Sequence, residues 1–162
     1  MSESQVDAAV KRALAPLNRE IKSGEGPYQI QYELQQNMQA LVGIVRTESE
    51  MQQAIEVIHS LWERARIVGV PGNREYNHGW HTALDLTHLL TVSEAVPLAA
   101  IERKESRGAQ FREDFPDKIA EYGKFNIVIR KGNDGSMQVV REPLKPIPAN
   151  LQQIIDDEAK AK

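Results

Sequence analysis

Between Gly79 and Lys104 the chain sets out Trp80, Leu84, Leu86, Leu89, Leu90, Val92, Val96, Leu98 and Ile101. No single stripe at about 3.6 residues per turn holds them all. A helix apolar on several sides is normally packed against several neighbours, so this segment is expected to be the central helix of a mainly α domain. The rest of the chain fits that demand. Its 162 residues are 41% apolar and 27% charged, an ordinary globular composition at the length of one domain. The longest unbroken apolar run, Ala95 to Ile101, contains Pro97 and falls far short of the ~20 residues of a bilayer crossing, so no membrane span is expected.

The helices that would cover the central one are readable from their apolar spacing. Val6, Val10, Ala13, Leu17 and Ile21 recur at three and four residues and predict a first helix over residues 1–21, kinked or divided at Pro16. Ser23 to Pro27 reads as a loop. From Tyr28, Ile30, Leu34, Met38 and Leu41 share a face and predict a second helix ending near Val42. Thr47-Glu48-Ser49-Glu50 has the form of a capping box, the firmest helix start in the chain, followed by Met51, Ile55, Ile58, Trp62 and Ala65 and a stop at Val68-Gly69. Beyond Gly108 the pattern changes. Phe125–Arg130 and Met137–Arg141 flank a Gly-Asn-Asp-Gly turn and predict one β-hairpin, and Leu151–Ala159 a last short helix before a charged end.

Composition removes many chemistries. With no Cys there is no thiolate nucleophile, redox pair or Cys-ligated metal, and 20 Lys+Arg against 23 Asp+Glu gives a net charge of -3 that draws in no nucleic acid. Neither a Gly-x-Gly-x-x-Gly nor a phosphate-binding loop occurs. The acidic first residues are unlike a secretory or mitochondrial leader. His78, His81 and His88 could line one helix face as metal ligands, with Asp85 among them, but exposed or core-edge His is the commoner reading and no metal site is expected. Trp62, Trp80 and Tyr76 could form a stacking platform, and are read instead as core anchors. Glu102 to Asp114 is the densest charge run. Mixed signs at a helix end usually mark a solvated face, yet Phe111, Phe115 and Pro116 interleave with the charges, which suits a surface packed on something.

That segment, Arg103-Lys104-Glu105-Ser106-Arg107-Gly108-Ala109-Gln110-Phe111-Arg112-Glu113-Asp114-Phe115-Pro116, resembles the Glu-Ser-Arg-Gly-Ala-His-x-Arg-x-Asp-x-Pro signature of succinate dehydrogenase and fumarate reductase flavoprotein subunits. Glu33-Leu34-Gln35, Met38-Gln39, Val42 to Arg46 and Leu90 to Ala95 resemble helices of the same family's C-terminal domain, and the resemblance runs from about Pro27 to Leu144. Gln110 stands where the family usually has His. The resemblance implies an antiparallel three-helix, spectrin-repeat-like bundle with an added N-terminal helix and a small C-terminal β-hairpin tail. The chain is read as one domain overall, with a helix and linker over 1–26, the bundle over 27–108, and the hairpin and tail over 109–162 packing on the bundle.

In that family an FAD-binding domain and a capping domain that handles the dicarboxylate precede the helical domain, and none of their catalytic or flavin residues matches a position here. The resemblance therefore implies a structural and docking part with no catalytic, cofactor-binding or metal residue of its own. FAD would reside in the full subunit. The expected partners are the FAD-binding and capping domains and the iron–sulfur subunit, at the inner face of the cell membrane. Arg107 and Arg112, and after them Arg46, are the candidates for ion pairs across such an interface, because guanidinium forks bind carboxylates bidentately. An uncovered apolar face near Arg107 to Pro116 would also favour self-association of the isolated chain. An L-aspartate oxidase-like flavoenzyme and a free-standing helical adaptor are the alternatives.

Overall fold

The computed structural model describes residues 2–21 and 25–160, and of 158–160 the backbone only. The elements in order are α1 (Glu3–Leu14), a 3-10 turn (Ala15–Asn18), α2 (Pro27–Leu41), β1 (Val45–Arg46), α3 (Glu48–Ile67), α4 (His78–Glu102), β2 (Phe111–Arg112), a second 3-10 turn (Ala120–Lys124), β3 (Phe125–Lys131), β4 (Met137–Pro143) and α5 (Ala149–Lys160). The predicted loop at Ser23-Gly24 lies outside the described residues.

Helices α2, α3 and α4 pack against one another in pairs and make a bundle. Their shared core is Ile30 and Leu34 from α2, Ile58 and Leu61 from α3, and Ala83, Leu86 and Leu90 from α4, closed by Val68 and Val70 of the α3–α4 connection. By length and composition α4 is apolar enough to cross a bilayer. Leu86 and Leu90 are fully buried in this core, however, which makes α4 the central helix. Pro97 sits inside α4 without ending it. Both halves of the predicted capping box at Thr47 and Glu50 are present. At α4 the cap has one half only, the Asn77 side chain accepting from the Trp80 N–H at 2.9 Å.

Pro16 divides the first helix, as its ring predicts, but α1 is shorter than its periodicity suggested and none of its side chains is buried. The 3-10 turn and the residues on either side of it hold the N-terminal part to the bundle. The Val70 N–H donates to the Pro16 carbonyl at 2.9 Å, the Arg19 guanidinium to the Val68 carbonyl at 3.1 Å, and the Trp80 indole to the Ala13 carbonyl at 2.7 Å. Only glycine fits at position 69, because a Cβ there would lie 2.6 Å from the Glu20 carbonyl oxygen.

Strands β3 and β4 form the predicted antiparallel hairpin, with Phe125 opposite Pro143 and Lys131 opposite Met137. An isolated hairpin is marginal, and this one lies against α4, where Arg141 donates to Glu102 at 2.6 Å. No residue pattern marks β1 and β2, a two-residue parallel pair in which Val45 matches Phe111 and Arg46 matches Arg112.

Candidate functional site

The residues after α4 solve a problem at its end. The last carbonyls of a helix have no amide partners within it, and α4 stops at Glu102 with no glycine behind it. Arg112 supplies the missing donors. Its Nη1 reaches the Ala100 carbonyl at 2.9 Å and the Ile101 carbonyl at 3.3 Å, and the Gln110 amide adds bonds to Ala100 and Arg103 at 3.3 and 3.2 Å. The other edge of the same guanidinium grips Asp114 through Nε and Nη2, both at 2.7 Å. Asp114 in turn accepts from the Glu48 N–H at 2.9 Å, at the first turn of α3. One ion pair thus places a cation at the C-terminus of α4 and an anion at the N-terminus of α3, each on the helix end whose dipole favours it.

Glu105 anchors the second half of the segment. It is fully buried, an unusual place for a carboxylate, and is surrounded by donors. Arg107 approaches with Nε at 2.5 Å and Nη2 at 3.0 Å, Arg103 with Nη1 at 2.5 Å, and the Ile119 N–H at 2.7 Å. The Arg107 guanidinium, aided by the Ile119 amide and Arg103, holds the Glu105 carboxyl down at about 2 against the opposing effect of burial. Arg112 does the same for Asp114, also to about 2. Carboxylates held this low and bonded on both oxygens carry no protons near neutrality. They brace the segment. Ser106 completes it, its hydroxyl donating to the Phe115 carbonyl at 2.9 Å and accepting from the Arg112 N–H at 2.8 Å.

The three arginines singled out from the sequence therefore sit in different circumstances. Arg112 is fully buried, and Arg107 spends its fork on Glu105 and the Ile119 carbonyl. Arg46, half-buried on β1, donates through Nε to the Gly43 carbonyl at 2.7 Å, and among the described residues it meets no carboxylate. Beside it Ile44 is 80% exposed and Val45 55%, and across the ladder Phe111 is 43% exposed.

Other candidates fall elsewhere. His78, His81 and His88 are exposed along α4, and among the described residues no group of three or more His, Asp or Glu is placed to hold a metal ion. Trp62 and Trp80 pack against the core as read. Tyr76 does not: it is 99% exposed, at a positive φ of 52° in the α3–α4 connection, because no helical turn there carries it inward. His59 and the Trp62 indole meet Glu94 at 3.0 and 3.2 Å, at the wall of a cleft of about 800 Å³ between α3, α4 and the hairpin turn. The run from Glu102 to Asp114 is not the solvated face that mixed charge suggests, since Glu105 and Arg112 are inside. Neither that burial nor the role of Asp114 was legible from composition.

The family described as fumarate reductase flavoprotein C-term matches residues 31–154. The fumarate reductase flavoprotein subunit of Mycobacterium tuberculosis is 30% identical over 76% of this chain and 21% of its own length. The succinate dehydrogenase flavoprotein subunit of Coxiella burnetii is 31% identical over 88% of this chain and 25% of its own length. Among solved structures, Mycobacterium smegmatis Sdh1 in complex with UQ1 superposes with a TM-score of 0.85 at 38% identity, over 96% of this chain and 26% of that one. The chain thus spans about a quarter of the length of the relatives it matches. With the bundle, the hairpin and the braced segment in their places, it belongs to the fumarate reductase flavoprotein C-terminal family.

Proposed function

We propose that the chain serves as the C-terminal helical part of a flavoprotein subunit that interconverts succinate and fumarate, with a structural and docking role. The observation that carries this is the match of residues 31–154 to a family defined by its place at the flavoprotein C-terminus. The site supports it. Its buried charges are spent on joining α3, α4 and the following loop, and the Glu105 and Asp114 carboxyls are held in the ionised form by their arginines. Fumarate reductase and succinate dehydrogenase relatives favour this over an L-aspartate oxidase.

In this reading the FAD-binding and capping domains are the partners within the subunit, and the iron–sulfur subunit takes the electrons, at the inner face of the membrane. FAD belongs to the full subunit. Of the three arginines, Arg46 uses only its Nε among the described residues, while Arg107 and Arg112 are tied to the Glu105 and Asp114 carboxylates.

The test is complementation. The Mycobacterium tuberculosis fumarate reductase flavoprotein, shortened by its matching C-terminal part, is co-expressed with this chain. Co-purification with bound flavin and succinate-dependent dye reduction is the expected result. If the two parts purify separately and the shortened protein behaves as it does alone, the docking role is refuted.

A further inference from the structure

We propose that two copies of the chain pair through their terminal helices, α1 of each lying on α5 of the other. The occupant of both apolar faces is a second copy, and the pairing stands independently of the function proposed above.

Each of these helices presents an apolar stripe to solvent. On α1 it is Val6, Ala9 and Val10, all exposed, and no α1 side chain is buried. On α5 it is Leu151, Ile154 and Ile155, exposed as well. Apolar residues at steps of three and four form the face with which one helix packs on another. The two helices are also of equal length, twelve residues each.

Their sequences fit each other in one direction. Laid parallel with Val6 on Leu151, Ala9 meets Ile154 and Val10 meets Ile155. The same register sets Lys11 and Arg12, the basic last turn of α1, level with Asp156 and Asp157. Laid antiparallel over the same stripes, Lys11 and Arg12 fall level with Asn150 and Ala149, and the opposite charges part. Only the parallel register matches apolar residues and charges together.

Reach decides between one chain and two. The Trp80 indole holds the end of α1 through the Ala13 carbonyl. Strand β4 starts at Met137, which shares a cleft with Glu94, and runs on toward Glu102, where Arg141 binds. Trp80 and Glu102 stand about 33 Å apart along α4 at 1.5 Å per residue. From Pro143, five extended residues and nine of helix cover about 30 Å even when aimed straight back. In this register α5 therefore falls short of its own α1. Two chains related by a twofold axis make both contacts at once and close on themselves, which helices too short to be stable alone require.

Sedimentation of the full chain at rising concentration is expected to show a monomer–dimer equilibrium. Val10→Asp and Ile155→Asp each put a charge in the apolar contact and are expected to raise the dissociation constant about a hundredfold or more. Lys11→Glu is expected to raise it about tenfold, and Asp156→Lys added to Lys11→Glu to restore it. Circular dichroism separates lost pairing from unfolding, and the charge exchange serves should either aspartate unfold its helix. Because the chain has no Cys, Val6→Cys combined with Leu151→Cys reports the neighbour directly, and oxidation is expected to give a covalent dimer.

A chain that stays monomeric at millimolar concentration would overturn the pairing. So would a dimer indifferent to both Val10→Asp and Ile155→Asp, or a disulfide closed within one chain. If the monomeric chain instead binds the shortened Mycobacterium tuberculosis flavoprotein through a contact that Ile155→Asp abolishes, the rest of the subunit is the occupant. The pairing then fails and the docking role stands.

Discussion

At Glu105 a single buried carboxylate pairs with two part-buried guanidinium groups and accepts from a backbone amide. Removing its charge leaves the part-buried Arg103 and Arg107 without an anion. Glu105→Gln is expected to cost about 3 kcal/mol, measured by urea unfolding. The same residue sets an acid limit. Its pKa in the folded chain, about 2, lies below the ordinary 4.5, so its contribution is complete above pH 4.5 and is lost as the pH falls toward 2. Asp114 acts in the same direction and over nearly the same range. A plot of Tm against pH should fall steeply below pH 4.5 in the parent chain and less steeply in Glu105→Gln. Equal slopes would mean that Glu105 is not the group responsible.

Among the elements, the start of α3 was readable because it rests on a local pattern, whereas the Ser2 cap of α1 and the Asn77 cap of α4 were passed over. Thr47 and Glu50 are three residues apart, and the hydroxyl and carboxylate they supply serve amides in the same turn. The bundle core was readable for a like reason, since Ile30, Leu34, Met51 and Ile58 recur at helical spacing. Strands β1 and β2 were not. Two residues carry no period, and their pairing joins positions 45 and 111, far apart in the chain. The burial of Glu105 and Arg112 escaped for the related reason that a charged side chain goes inside only when its partners are there. Thr47→Ala should cost about 1 kcal/mol by thermal unfolding, and no more, because Asp114 still serves the Glu48 amide. Gly69→Ala tests the attachment of the N-terminal part. The added methyl meets the Arg19 and Glu20 carbonyls, and a loss of about 1–3 kcal/mol with faster proteolysis before residue 21 is expected.

On the scale of the whole molecule, both ends of the bundle are tied by ion pairs, at one end through Arg64 with Glu25 and Glu33. The α4 C-terminus, the α3 N-terminus and the hairpin meet at the second end through Arg112, Asp114 and Arg141. Alone, the chain is expected to be colourless and inactive toward succinate in a dye-reduction assay. Flavin carried through purification would contradict the division of labour proposed for it. The ribbon of β1 and β2 has a further bearing on how the chain matures. A two-residue parallel rung closed over so long a loop repays little of the entropy it consumes, so it zips up only after α2, α3 and α4 have brought its halves together. A nascent or damaged chain therefore lacks the rung until its bundle is complete.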